Sequence, residues 1–238
     1  MEEIVNGALY LVSTPIGNLA DITYRAVHIL NGVHLIAAED TRKSGILLRN
    51  YGIKTPTTSY HSYNLERATP KLVEKLLDGN SIALISDAGT PGISDPAYQL
   101  VRSCIENHIR IIPIPGASAI LGALVVSGLS TNKFVYEGFL PVKKGRKTRF
   151  ESLKNESRTL IIYESPHRIK KTVGEFLHYF GDRNCVLARE ITKKFEEFYR
   201  GLLSELSEHL EASKVKGELV LLIEGQSEKK GSKNEREE

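Results

Sequence analysis

The chain has 238 residues, of which 41% are hydrophobic and 26% are charged, as is usual for a globular protein with a sizeable core. Its formal net charge of +3 is too small to define a nucleic-acid partner and does not oppose one. The two cysteines, Cys104 and Cys185, lack the spacing of a zinc site, a redox pair or a small disulfide scaffold, which favours a reducing compartment.

The N-terminal segment is acidic and then only briefly apolar, so it lacks the basic and hydrophobic regions of a signal peptide. No apolar run reaches the roughly 18 residues that a membrane span requires. We therefore expect a cytoplasmic protein that does not act in a membrane.

Strand-like and helix-like segments alternate through the first half of the chain. The apolar runs ALYLVS, VHLIAA, SIALIS and RIIPIP are typical of buried strands, and helical patterns follow them at 22–30, up to Gly52, at 96–105 and at 117–126. Asp95 before Pro96 is a helix start signal. The alternation predicts an α/β domain over residues 1–130, with a mainly parallel sheet covered on both faces.

A second series of strand-like runs begins after Gly128. The runs FVYEGFL, TLIIYES, NCVLARE and ELVLLIE, with helical patterns between them, predict a second α/β domain over residues 131–226. EEFYRG adds another strand before the helical pattern SELSEHLEAS, so we expect this second sheet to be mixed. Residues 227–238 contain no apolar side chain, and we expect a disordered tail there.

Three Gly/Pro-rich loops, STPIGN, SDAGTPGISDP and PGASA, follow first-half strands. Open α/β sheets bind ligands at this edge, although each loop taken alone is also compatible with a tight turn. The middle loop, 86–96, is longer than a strand-to-helix connection needs, which indicates that it wraps a ligand. Asp87 is placed either to accept hydrogen bonds from that ligand or to cap its own loop.

The motifs that are missing narrow the choice of ligand. The chain has neither the GxxxxGK[ST] phosphate loop nor a GxGxxG turn, which argues against nucleoside triphosphates and NAD. A sulfonium cation is favoured instead, because carbonyl and carboxylate oxygens stabilise its positive charge.

The three loops, in this order and followed by a second α/β domain, resemble the tetrapyrrole methylase superfamily. The segments LYLVSTPIGNLADITYRA, IAAEDTR, YEGFLP, YESPHRI and TKKFEE resemble its ribosomal RNA-modifying branch, and the likeness runs from about Leu9 to Glu224. The resemblance implies two α/β domains with a cofactor cleft between them, and an enzyme that is typically a homodimer. It also implies methyl transfer from S-adenosylmethionine to the ribose 2′-hydroxyl of a cytidine in 16S ribosomal RNA.

The resemblance also implies cofactor contacts in both domains. In the first domain they are Pro15, Asp87, Gly89, Thr90, Ser118 and Ala119. In the second they are Tyr163, Arg189 and Leu219.

Methylation of a hydroxyl requires alignment of the reacting groups and removal of a proton, and it requires no metal. The candidate residues for these tasks are Glu39, Asp40, Arg42 and His61. Each of the last three has a structural alternative: Asp40 as a helix cap, Arg42 as a surface ion pair and His61 as a structural hydrogen-bonding residue.

Basic residues after YEGFLP are candidates for contacts with the RNA backbone, although a solvated helix start has the same pattern. They are Lys143, Lys144, Arg146, Lys147 and Arg149, and Arg168 is a further candidate phosphate contact. Tyr136 and Phe139 beside them are either base-stacking or core residues. The run of Lys193, Lys194, Glu196 and Glu197 neutralises itself and indicates no role.

Two other functions stay open at this point. A superfamily relative could methylate a tetrapyrrole or a protein side chain, and a non-catalytic RNA-binding assembly factor could retain the fold. The AEDTR, YESPHRI and TKKFEE segments favour the RNA-modifying enzyme over the first of these. Affinity for S-adenosylmethionine would separate it from the second.

Overall fold

A computed structural model describes residues 3–212 and 214–226. The chain divides into two compact units, Met1–Ala119 and Ile120–Glu238. The sequence placed this division after residue 130, so most of the last helix assigned to the first domain belongs to the second unit. The predicted disordered tail, 227–238, lies outside the described residues.

The first unit is built on a five-stranded sheet in which every paired strand is parallel. Its strands are β1 (Leu9–Val12), β2 (Leu35–Ala38), β3 (Thr57–Ser59), β4 (Ile82–Ile85) and β5 (Ile111–Ile114), arranged in the order β3-β2-β4-β1-β5. The predicted α/β class is confirmed. Strand β3 escaped prediction because three residues of sequence TTS are too short and too polar to show a pattern.

Five α-helices follow these strands, and side-chain caps mark several of their starts. They are α1 (Tyr24–Gly32), α2 (Thr41–Asn50), α3 (Leu65–Leu77), α4 (Ala97–Glu106) and α5 (Ala119–Val125). Thr23 Oγ1 accepts from the Ala26 N–H at the start of α1, and Asp95 Oδ1 accepts from the Ala97 N–H at the start of α4. Because Pro96 occupies the cap position, α4 begins one residue later than the sequence predicted.

Alternate residues of β1 pack on opposite faces of the sheet. Tyr10 and Val12 belong to a buried cluster with residues of α1, whereas Leu9 belongs to a second cluster with residues of α3 and α4. Both faces of the parallel sheet are therefore covered, as the continuous apolar strands predicted.

Strand β5 forms one edge of this sheet and contains a proline. The Leu9 N–H donates to Arg110 O and the Ser13 N–H donates to Ile114 O. The main-chain N–H and C=O groups of the even-numbered β5 residues are therefore directed toward β1. The main-chain nitrogen of Pro113 is directed away from β1, toward the outer side of the sheet, so its missing N–H interrupts no hydrogen bond of the sheet.

The second unit contains a mixed five-stranded sheet, as predicted. Its strands are β6 (Phe134–Phe139), β7 (Thr159–Glu164), β8 (Asn184–Arg189), β9 (Glu197–Leu202) and β10 (Leu219–Ile223), in the order β6-β7-β10-β8-β9. Strands β6 and β7 are parallel, and the other pairs are antiparallel. The carboxyl ends of β6, β7 and β8 therefore lie at one edge, with the starts of β9 and β10.

Three helices pack on the second sheet: α6 (Arg146–Leu153), α7 (Ile169–Phe180) and α8 (Leu203–Ala212). Phe150 of α6, Phe176 of α7 and Leu206 of α8 share a buried cluster with alternate residues of β7 and β10. The ring centroids of Phe150 and Phe176 lie 4.7 Å apart. This second core is built from residues of its own unit.

Candidate functional site

The three Gly/Pro-rich loops of the first unit converge at the carboxyl edge of its sheet. The main chains of Thr14 and Gly89 exchange two hydrogen bonds of 2.9 and 3.1 Å, and the hydroxyls of Ser13 and Thr90 lie 2.9 Å apart. A Cβ placed on Gly116 would lie 2.9 Å from Ser13 Cβ, which leaves no room for a side chain. The loops after β1, β4 and β5 therefore form one continuous surface.

This surface carries the first-unit positions that the sequence assigned to the cofactor. Gly89 adopts a left-handed φ of +81°, which glycine tolerates without strain and which brings bare main chain to the surface. Pro15 follows the paired Thr14, and Ser118 and Ala119 end the loop at the start of α5. Carbonyl groups, a carboxylate and glycine main chain are a donor and acceptor set that fits S-adenosylmethionine.

Asp87 connects the middle loop to the segment that follows β2. Its Oδ1 accepts from the Asp40 N–H at 3.0 Å, and its Oδ2 lies 2.6 Å from Lys43 Nζ. The Asp87 N–H in turn donates to Glu39 Oε2 at 3.3 Å. Asp87 thus holds two strand ends together, and each carboxylate oxygen keeps a second lone pair for a ligand.

Burial raises the pKa of Glu39 above its ordinary value, and the neighbouring carboxylate of Asp87 acts in the same direction. The hydrogen bond from the Asp87 main chain opposes the rise without reversing it. A carboxylate with a raised pKa is a stronger proton acceptor than an ordinary one, which suits Glu39 to the proton step.

Asp40 and Arg42 pair with each other. The Asp40 carboxylate caps helix α2 through the Arg42 N–H at 2.9 Å and accepts from both Arg42 Nε and Nη2. These hydrogen bonds hold the pKa of Asp40 well below its usual range, so its carboxylate is a weak base. The capping alternative therefore accounts for Asp40, and the Arg42 side chain, 90% exposed, has the accessibility that a substrate contact needs.

His61 lies in the turn after β3, where it contacts its sequence neighbours. Its N–H donates to Asn64 Oδ1 at 2.9 Å, and its Nδ1 accepts from the Tyr63 N–H at 3.3 Å. These bonds fix the turn that precedes helix α3. They favour the structural alternative for His61 over a catalytic one.

The second-unit cofactor candidates lie at one edge of the mixed sheet. Leu219 is in register with Arg189, and Tyr163 is in register with the next residue, Val220. The Leu219 side chain is buried, so this residue offers a ligand only its main chain. The ring centroids of Tyr163 and Tyr136 lie 5.2 Å apart. Burial raises the pKa of Tyr163, and the raised pKa keeps its hydroxyl neutral.

Six basic residues are candidate RNA contacts from the sequence, and two of them, Arg146 and Arg168, make contacts inside their unit. Arg146 is 6% exposed, and its guanidinium donates to Glu175, to Thr172 Oγ1 and to Pro141 O. Arg168 donates to Leu140 O at 2.7 Å and pairs with the buried Glu164. Both guanidiniums are committed to the interior of their unit.

The other basic residues of the run are exposed around the start of α6. Arg149 pairs with Glu137, whereas the side chains of Lys143, Lys144 and Lys147 are exposed. These three lysines are the part of the run that fits an electrostatic contact with a phosphate backbone. Phe139 is exposed beside them, and its ring lies 5.7 Å from that of Tyr163.

Sequence reasoning missed Lys43, which binds the carboxylate proposed for the cofactor. Its place three residues after the Asp40 cap, in the first turn of α2, was the available signal. It also missed that Glu175 would pair with Arg146, because this pair depends on how α6 and α7 pack. The pairing of Arg168 with Glu164 is local, and the spacing of four residues was its only signal.

Loops gathered at the carboxyl edge of a parallel sheet, with a second mixed sheet in the chain, define an α/β ligand-binding protein. The family model described as Tetrapyrrole (Corrin/Porphyrin) Methylases matches residues 8–207, and the chain belongs to this family. The prediction of an S-adenosylmethionine-dependent methyltransferase is thereby confirmed.

Relatives of similar sequence carry one name, ribosomal RNA small subunit methyltransferase I. The protein of Synechocystis sp. is 50% identical, covering 92% of this chain and 79% of its own length. The protein of Halalkalibacterium halodurans is 49% identical, and the match covers 94% of this chain and 78% of that protein. The protein of Haemophilus influenzae is 51% identical, and the match covers 93% of this chain and 80% of that protein.

Solved structures of low sequence identity share the fold. A cobalt precorrin-4 methyltransferase matches with a TM-score of 0.68 at 16% identity, covering 92% of this chain and 95% of its own. A diphthine synthase matches with a TM-score of 0.70 at 13% identity, and the match covers 92% of this chain and 90% of that structure. At these identities the likeness describes the architecture and not the substrate.

None of the helices described in the structure is long and apolar enough to cross a membrane. Within residues 3–212 and 214–226, no group of three or more histidine, cysteine, aspartate or glutamate side chains is arranged to hold a metal ion.

Proposed function

We propose that this chain transfers a methyl group from S-adenosylmethionine to the ribose 2′-hydroxyl of a cytidine in 16S ribosomal RNA. The observation that carries the proposal is the identity of about half of the residues with proteins named as small-subunit ribosomal RNA methyltransferases, over 92 to 94% of the chain. The loop surface at the carboxyl edge of the first sheet supports it, because it offers oxygen acceptors for a sulfonium cofactor.

In the proposed reaction, the 2′-oxygen attacks the methyl carbon while the bond from that carbon to sulfur breaks. The hydroxyl proton must leave as the new carbon–oxygen bond forms, and the positive charge of sulfur is neutralised in the product. Glu39 is the candidate acceptor of this proton, because burial raises its pKa and the Asp87 main chain orients it. Arg42 is the candidate contact for a substrate phosphate.

The proposal divides binding between two groups of residues. The loop positions Pro15, Asp87, Gly89, Thr90, Ser118 and Ala119, with Tyr163, Arg189 and Leu219, would bind the cofactor. Lys143, Lys144, Lys147 and Arg149 would bind RNA. Because Arg146 and Arg168 are engaged inside their unit, we assign them to the support of this surface.

Transfer of a labelled methyl group to small ribosomal subunits or to their RNA tests the function. We expect the label at one cytidine, whose ribose then resists alkaline cleavage. Labelling of a porphyrinoid or a protein in place of RNA would support the alternative methyltransferases, and failure to bind S-adenosylmethionine in a calorimetric titration would support a binding factor.

The division of binding is tested by two variants. Asp87→Ala is expected to weaken S-adenosylmethionine binding more than RNA binding, with Asp78→Ala on the exposed end of α3 as its control. Replacing Lys143, Lys144 and Lys147 by alanine is expected to do the reverse. Equal loss of both affinities in either variant would contradict the division.

We further propose that the protein acts in the cytoplasm as a homodimer. Leu121 and Val125 are exposed one helical turn apart on α5, and the exposed Val126 follows them, so these three side chains support an apolar contact between copies. Sedimentation of the wild-type chain and of a Val125→Asp variant tests this, since a dimer held by this face should dissociate in the variant.

A further inference from the structure

The turn that joins β8 to β9 is held in a strained conformation. Glu190 and Thr192 both adopt left-handed backbone angles, with φ of 51° and 66°. Such angles are unfavourable for side chains with a Cβ, above all for a β-branched threonine. Strain of this kind persists where the surroundings enforce it, and it is concentrated at functional sites.

Hydrogen bonds to the charged side chains of the turn hold it in this conformation. The Glu190 carboxylate accepts from Lys193 Nζ and from the Glu218 N–H, each at 2.9 Å. The Glu196 carboxylate accepts from the Thr192 N–H at 2.6 Å. Lys193 and Glu196, two members of the run interpreted above as self-neutralising, thus fix the turn.

Two side chains of the turn remain directed to solvent. Phe195 is 61% exposed, and Lys194 is exposed beside it with its Nζ 5.6 Å from the centroid of the phenyl ring. The phenyl ring is therefore held by a rigid turn at a position where another molecule can contact it.

The turn lies at the sheet edge that carries the proposed RNA contacts of this unit. Arg189 and Glu197, which flank the turn, are register partners, and Arg189 is also in register with Leu219. The carboxyl end of β6, which leads to Lys143 and Lys144, lies at the same edge of the same sheet.

We propose that Phe195 and Lys194 form a stacking platform for one unpaired nucleotide of the RNA substrate. The proposal rests on the proposed function for its choice of RNA. A base stacks on the exposed face of the phenyl ring, and the lysine ammonium contacts the adjacent phosphate. A single ring beside a cation fits a nucleotide better than it fits a protein partner, which requires a wider apolar patch.

The chain contains no tryptophan, so Phe195→Trp introduces a single fluorescent reporter at the platform. Titration of this variant with a single-stranded cytidine oligonucleotide is expected to quench its emission, because a stacked base quenches indole. Tyr24→Trp, at an exposed position at the start of α1, is the control and should respond little.

Unchanged Phe195→Trp emission while the oligonucleotide binds would overturn the platform. A blue shift that grows with protein concentration in the absence of RNA would also overturn it, because it would place a second copy of the chain on the ring.

A kinetic measurement tests the same residues in the reaction. Phe195→Ala is expected to raise KM for small ribosomal subunits about tenfold, as loss of one stacked base does, without changing S-adenosylmethionine binding. Phe195→Tyr should restore the wild-type KM, and Lys194→Ala should raise KM less. If the wild type methylates RNA and Phe195→Ala matches it, only the platform fails; if the wild type methylates no RNA, the proposed function itself fails.

Discussion

At the scale of residues, identical charges in one short segment have different roles. Arg146 is enclosed by Glu175, Thr172 and a carbonyl oxygen, whereas Lys147, one residue later, is exposed. A guanidinium can satisfy several acceptors at once in a buried position, and an ammonium is better hydrated at the surface. The difference between the two side chains therefore predicts a difference in stability and in RNA binding.

Arg146→Ala is expected to lower the free energy of unfolding by about 3 kcal/mol, because it leaves Glu175 without its partner and removes one of the two hydrogen bonds of the buried Thr172 hydroxyl. Lys147→Ala should change it by less than about 0.5 kcal/mol, as surface substitutions do. Urea unfolding followed by circular dichroism measures both. Equal and small effects would show that Arg146 is accessible after all.

Glu39→Gln is expected to lower kcat about a hundredfold if Glu39 accepts the hydroxyl proton, with little change in cofactor affinity. Because burial raises the pKa of Glu39, the wild-type kcat should rise with pH through a range above that of an ordinary glutamate. The variant should lack this acidic limb. A pH profile with the same limb in both proteins would assign the proton step to another group.

At the scale of elements, the site depends on how closely the loops after β1 and β5 approach each other. That approach is set at Gly116, where the absence of a side chain lets one loop rest on Ser13. The glycine is required by space and not by backbone angle, since its φ does not lie in the left-handed region.

Gly116→Ala is expected to weaken S-adenosylmethionine binding at least tenfold and to cost about 1–3 kcal/mol of stability, because the added methyl group forces the loops apart. Gly174→Ala is the matched control. This glycine lies inside α7 with open space around it, so alanine there should stabilise the helix by about 0.5–1 kcal/mol. Calorimetric titration and thermal unfolding measure both effects.

At the scale of the whole molecule, each unit has its own core and one buried thiol within it. Cys104 lies in the cluster of α3 and α4, and Cys185 lies in the cluster of the mixed sheet. Burial raises the pKa of Cys104 to about 11 and that of Cys185 to about 12.

Both thiols are expected to resist alkylation of the folded protein at pH 8 and to react rapidly in urea, because the thiolate is the reactive form and burial disfavours it. Mass spectrometry of pulse-labelled protein across a urea series then reports the unfolding of each unit through its own cysteine. Fast labelling of either thiol without denaturant would contradict the burial of that core.

The repeating features of the fold were predictable from the sequence, and the pairings within the site were not. Continuous apolar runs identified the strands, and glycine-rich segments identified the loops, because both signals are local. The neutralisation of Arg146 by Glu175 and the contact of Lys43 with Asp87 join distant segments. Composition gives no information about such pairs, which is why the basic run was interpreted as uniform.

The proline in β5 has a consequence beyond the architecture of the first sheet. Outer strands carry unpaired main-chain groups that can recruit a strand from another molecule and seed aggregates. Pro113 presents a ring in place of an N–H on that side, so an incoming strand finds a missing donor and a steric obstacle. The first sheet therefore ends at β5 with an outer side that disfavours the addition of another strand.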